Sequence, residues 1–153
     1  MSWQKRIIKD IKELTESGFQ VRDENGGEDF KMDYFIVKIK GPVDTPYENC
    51  DWTLRFTIPE KFPFSSPSVG FIQRIYHPNV DEESGTICLD ALNSNWSPTF
   101  TIRHIAETLI PYLLAYPNPD DPLNKEAASL MKANKLLFEK KARTHSAANC
   151  LRV

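Results

Sequence analysis

A chain of 153 residues is long enough to bury one substantial core and too short for two, so a single domain over residues 1–153 is expected. Its formal net charge of -2 gives no overall field that would draw in nucleic acid or an anionic membrane. MSWQKRIIKD lacks an apolar stretch of signal-peptide length, and no apolar run nears the roughly 18 residues of a membrane helix, so a soluble protein of cytoplasm or nucleus is expected. Cys50, Cys88 and Cys150 make neither an even set nor a C-x-x-C pair. Reduced thiols follow as the expectation, with Cys50 packed and Cys150 free on an exposed tail.

In WQKRIIKDIKEL the residues Ile7, Ile8, Ile11 and Leu14 recur at helical spacing, with Lys5, Arg6, Lys9 and Lys12 elsewhere on the surface and Gly18 as a stop. An amphipathic first helix with a basic, solvated outer side is expected. Phe19 to Arg22 reads as a weak strand, and DENGGED, residues 23–29, as a turn. Next, YFIVKIKGP sets Phe35, Val37 and Ile39 against Ile36, Lys38 and Lys40, while DWTLRFTIP sets Trp52, Leu54, Phe56 and Ile58 against Thr53, Arg55 and Thr57. Strict alternation of this kind marks antiparallel strands with one buried face. Pro63 and Pro67 interrupt ladder bonding before a short strand around Val69 to Ile72.

From Tyr76 to Thr101 no period is sustained, yet Ile87, Leu89, Leu92, Trp96 and Phe100 argue for an ordered functional loop. Helical spacing returns with Ile102, Ile105, Ala106, Leu109, Ile110 and Leu113, where Pro111 marks a kink or a boundary. After the stiff loop YPNPDDPLN, residues 116–124, two helices follow: Lys125 to Ala133 behind an Asn124 cap, and one from Lys135 behind Asn134. Helix, strands, long loop and helices in that order imply an α+β domain.

Cys88, in HPNVDEESGTICLD, is a buried filler, a metal ligand or a nucleophile. Zinc needs about four ligands in paired spacing. Only His77 and the scattered acids Asp81, Glu82 and Glu83 lie near, so no metal is expected. Neither His104, inside a helix, nor His145, near the chain end, is signalled as a base; His77, ahead of Pro78 in a turn, is as well suited to bracing its loop by hydrogen bonds.

His77-Pro78-Asn79, then Cys88-Leu89-Asp90, then Trp96-Ser97-Pro98, then Tyr116-Pro117-Asn118-Pro119-Asp120-Asp121 form an ordered set that resembles the ubiquitin-conjugating enzymes. The resemblance runs from the basic first helix through GPVDTPYE and PEKFPFSSP to the final helices. DEESGTICLD, LLAYPNP and DPLNKEAA are most similar to the histone-ubiquitinating, H-type branch, whose members commonly carry an acidic C-terminal tail; Ala148 to Val153 show none. The resemblance implies that family's fold: an N-terminal helix, a four-stranded antiparallel meander, a long active-site loop and C-terminal helices.

It also implies a transferase. Cys88 would accept ubiquitin from the activating enzyme as a thioester and pass it to a substrate lysine or a ligase cysteine. A thioester is activated enough for aminolysis without a hydrolase-type base. Asn79 would stabilise the oxyanion, or tie its loop together; both roles serve aminolysis. Asp121 would orient and neutralise the attacking lysine, with capping the next helix start or turning the loop as its structural alternative. Asp90 would orient substrate or solvate its loop, Asn118 would shape the gate beside the cysteine, and His77 would support the site.

By the same resemblance Phe64 and Pro98 mark the two loops that ligases grip, and Lys5, Arg6 and Lys9 the helix that meets the activating enzyme; for Trp96 a plain structural role as a core plug is expected instead. The expected partners are ubiquitin, the activating enzyme, a ligase and a protein substrate, with the chain itself a monomer. No cofactor is expected on the chain, since ATP and magnesium serve the upstream activating enzyme. The competing readings are a silent scaffold, which Cys88 argues against, a cysteine hydrolase, which would need His77 at the sulfur, and a carrier of another ubiquitin-like modifier.

Overall fold

The computed structural model describes residues 3–87 and 96–152, the last without its side chain. Helix α1, Trp3–Glu16, buries Ile7, Ile11 and Leu14 and ends where Gly18 takes a φ of 95°, a left-handed conformation open to glycine at little cost. Four antiparallel strands follow in chain order: β1 Val21–Arg22, β2 Tyr34–Lys40, β3 Cys50–Thr57 and β4 Ser68–Phe71. The register sets Phe35 opposite Phe56, Val37 opposite Leu54 and Ile39 opposite Trp52. These are the apolar halves of the two alternating runs, and all six side chains are buried in one contiguous core.

Helix α2 crosses that core in three parts: Ile102–His104, a π-helical stretch Ile105–Leu109, and Ile110–Ala115. Pro111 neither ends nor breaks it. A proline has no N–H for the helical ladder, and the helix widens just before it, the Ile110 N–H reaching back to the Ile105 carbonyl. Asn124 and Asn134 cap α3, Lys125–Ala133, and α4, Lys135–Asn149; their side-chain oxygens accept from the Ala127 and Leu137 N–H groups at 3.1 Å.

The end of the chain departs from expectation. Leu151–Arg152 form β5, which pairs with Asp51 and Cys50 along the β3 edge that β4 occupies further on. That register brings Cys150 within 5.7 Å of Cys50, Cα to Cα, and the two are joined in a disulfide. The expectation of three reduced thiols, with Cys150 free, is therefore corrected. The sequence separation of 100 residues concealed the pair, because proximity is created only by β5 docking.

Candidate functional site

Two segments meet at the C-terminal end of the meander. The first is the turn through His77, Pro78 and Asn79, and the second is the loop 116–124 between α2 and α3. Tyr47, buried against Trp52, anchors the first by donating its hydroxyl to the Tyr76 carbonyl at 2.7 Å. The Pro78 carbonyl then accepts from the Leu123 and Asn124 N–H groups at 2.9 and 3.0 Å.

Asn79 completes the join through its side-chain amide, which pairs with both the N–H and the carbonyl of Asn118. Its Oδ1 accepts from the Asn118 N–H at 2.8 Å; its Nδ2 donates to the Asn118 carbonyl at 2.8 Å and to the Asp121 carbonyl at 3.3 Å. Asn118 braces its own loop through Oδ1, which accepts from the Asp120 N–H. The Asp121 side chain is exposed, and the cap of α3 belongs to Asn124. Capping is thus not the work of Asp121.

His77 is fully buried. The Asn79 N–H donates to its Nδ1 at 2.9 Å, which leaves the ring proton on Nε2, facing the Leu113 carbonyl at 2.8 Å. Both ring nitrogens are occupied, and burial pushes the ring's pKa down from 6.5 to about 4. The ring braces the turn and has no lone pair left for deprotonating a thiol.

A pH dependence of stability follows. The unfolded chain protonates this ring near pH 6.5 and the folded chain only near pH 4, so acid favours unfolding across that window. Stability should fall by about 3 kcal/mol between those limits and level off below them. Urea titrations of wild type and His77→Gln across that range would check this; an unchanged slope in the variant would assign the effect elsewhere.

Cys88 and Asp90 lie outside the described residues, as do Leu89 and Leu92. The chain enters that segment from Ile87, which bridges to Val80, one residue beyond Asn79. Gly85, with a φ of 75°, closes the preceding turn, and a Cβ there would collide with the Phe71 carbonyl. Among the described residues no group of three or more His, Cys, Asp or Glu is placed to hold a metal ion, and no helix is long and apolar enough to cross a membrane.

A sequence model of the ubiquitin-conjugating enzyme family matches residues 5–146. The chain belongs to that family. It is 45% identical over 141 residues to ubiquitin-conjugating enzyme E2 5 of Arabidopsis thaliana, covering 92% of this chain and 74% of the relative. Against ubiquitin-conjugating enzyme E2-24 kDa of Saccharomyces cerevisiae it is 46% identical over 144 residues, 94% of this chain and 64% of the relative. A solved Plasmodium yoelii structure described as a putative ubiquitin-conjugating enzyme superposes with a TM-score of 0.84 at 35% identity, covering 98% of this chain and 96% of that one. A Toxoplasma gondii ubiquitin-conjugating enzyme domain gives 0.83 at 33%, covering 96% and 98%. This chain is accordingly a ubiquitin-conjugating transferase, and ubiquitin, an activating enzyme and a ligase are the partners that membership brings.

The residues singled out as partner contacts in this ubiquitin-conjugating enzyme divide into two kinds. Lys5, Lys9 and Pro98 are exposed, and Phe64 is 80% exposed on its proline-flanked loop. Arg6 is different. Its side chain is only 14% exposed and is turned inward, against the expectation of a solvated position. Sequence reading also passed over Asp10, the buried partner of Arg6, although the i,i+4 spacing of an arginine and an aspartate was the available signal. Trp96 is half-buried, packing between Phe62 and Phe100 while its Nε1–H donates to the Pro63 carbonyl.

Proposed function

We propose that the chain carries ubiquitin on Cys88. In the first transfer the Cys88 thiolate attacks the carbonyl of the ubiquitin thioester on the activating enzyme, whose cysteine leaves as a thiolate. In the second, a neutral lysine amine attacks the Cys88 thioester, Cys88 leaves as a thiolate, the amine gives up its extra proton, and an amide bond forms. The observation that carries this reading is the commitment of both His77 ring nitrogens, in a chain matched to the family over residues 5–146. Such a site suits aminolysis of an activated ester, and among the described residues His77 is not free to act as the base a cysteine hydrolase needs.

The remaining roles follow the same reading. Asn79 lends its amide to the oxyanion, giving up the longer contact to the Asp121 carbonyl while the Asn118 pair holds. Asp121 orients the incoming amine, with Asn118, His77 and Asp90 supporting the site. Lys5 and Lys9 meet the activating enzyme, and Phe64 with Pro98 meets the ligase. The chain acts as a monomer and binds no cofactor of its own. We assign it to the H-type branch on the likeness of DEESGTICLD, LLAYPNP and DPLNKEAA, and to cytoplasm or nucleus. Disulfides are rare in those compartments, so the Cys50–Cys150 bond is the feature at odds with that location.

The test is incubation with ubiquitin, its activating enzyme, ATP and magnesium, read on a nonreducing gel. A thiol-reversible adduct one ubiquitin heavier is expected. No adduct, with the activating enzyme shown to be charged, would overturn the reading. Charging only by the activating enzyme of another ubiquitin-like modifier would overturn the choice of ubiquitin.

A further inference from the structure

Asp10 is 1% exposed, on the inner side of α1, and no catalytic or partner-binding role has been given to it. Its two carboxylate oxygens face different elements. Oδ1 accepts from Arg6 Nε at 2.9 Å, and Oδ2 accepts from the Ile102 N–H at 3.3 Å, at the start of α2. Held this way, the Arg6 guanidinium donates from Nη1 to the Pro98 carbonyl and from Nη2 to the Phe100 carbonyl, both at 2.6 Å, and lies 5.4 Å from the centre of the Phe62 ring.

Those contacts join three pieces of chain. Phe62 precedes the exposed Phe64, and Pro98 is the exposed tip of the neighbouring loop. Trp96 ties the two loops together through its ring contact with Phe62 and its hydrogen bond to the Pro63 carbonyl. The planar guanidinium sets donors on three separate nitrogens in a fixed fork, which reaches two carbonyls and a carboxylate from one plane, whereas a lysine offers all its donors from a single nitrogen. Burial pushes the Asp10 carboxyl up and the hydrogen bond and charge of Arg6 pull it back down, so the buried carboxylate depends on Arg6.

We propose that Asp10 is a positioning residue for ligase engagement: by holding Arg6 it fixes the 98–100 backbone against the Phe62 loop, so that Phe64 and Pro98 are presented as one preorganised surface. The proposal rests on the reading of those two loops as the ligase surface. A surface already in its bound arrangement loses less freedom on association, so loosening it raises the ligase concentration needed and leaves the saturated rate largely intact.

The experiment measures discharge of preformed ubiquitin thioester to free lysine, titrated with the catalytic domain of a ubiquitin ligase chosen because it stimulates the wild-type chain. Asp10→Asn, and separately Arg6→Lys, should raise the half-saturating ligase concentration about tenfold, with the rate at saturation within about twofold of wild type. Combined with Phe64→Ala, Asp10→Asn should add little further, because both act on one surface. A lowered melting temperature with an unmoved half-saturating concentration would overturn the proposal, as would full additivity with Phe64→Ala. If Asp10→Asn does not fold, Arg6→Lys decides the matter alone. Ligase dependence unaltered by Phe64→Ala itself would bring down the ligase-surface reading and this proposal with it, whereas a response to Phe64→Ala and none to Asp10→Asn or Arg6→Lys would remove only the positioning role.

Discussion

Replacing Cys88 by alanine should abolish the ubiquitin adduct altogether, while replacing it by serine should leave an adduct of changed chemistry. A serine hydroxyl acquires the ubiquitin carboxyl as an oxygen ester, which resists thiols and yields to hydroxide. The wild-type thioester yields to thiols, so a gel run with and without a reducing thiol separates the three proteins. Discharge to free lysine should drop below detection in the serine variant, because the alkoxide is a far poorer leaving group than the thiolate. A thiol-labile adduct surviving in Cys88→Ala would move the acceptor to another cysteine. The fold leaves little room for that outcome, since Cys50 and Cys150 are bonded to each other.

Asn79→Ala should still accept ubiquitin from the activating enzyme but discharge it to lysine about a hundredfold to a thousandfold more slowly, the usual cost of losing one oxyanion donor. The side chain holds three hydrogen bonds to the 118–121 segment, so the same substitution loosens the join beneath the site. Asn79→Asp distinguishes the two contributions. An aspartate keeps an acceptor for the Asn118 N–H but turns a carboxylate oxygen toward the Asn118 and Asp121 carbonyls, so it should cost more folding stability than alanine, and the oxyanion role expects the two variants to discharge equally slowly despite that difference. Denaturant titrations beside single-turnover discharge would show it. Discharge at the wild-type rate in both variants would remove Asn79 from the chemistry.

Much of the frame could be read from the chain. Alternation in YFIVKIK and CDWTLRFT placed Phe35, Val37, Trp52, Leu54 and Phe56 inside, because a pleated strand offers its faces in turn. Asn124 and Asn134 announced the last two helices by the capping chemistry they perform. What escaped were features made by distant segments meeting. β5 has two residues, too few for any pattern, and its partner lies a hundred residues back. Arg6 looked like one more surface cation until the 98–100 carbonyls and the Asp10 carboxylate surrounded it. At the site, motif order placed His77, Asn79, Asn118 and Asp121 in one neighbourhood, but periodicity could not say that Asn79 would spend its whole amide on a neighbouring loop.

The Cys50–Cys150 bond also makes the chain a closed ring with two free ends. A tensile force applied to residue 3 and residue 152 passes along residues 3–50, across the sulfur atoms and out through β5. The path bypasses residues 51–149, a stretch that contains β4, the His77 turn, Asn79 and the whole 116–124 loop. Under such a pull α1 and β2 bear the load, and the stretch that includes the segments of the candidate site stays slack for as long as the sulfurs remain joined.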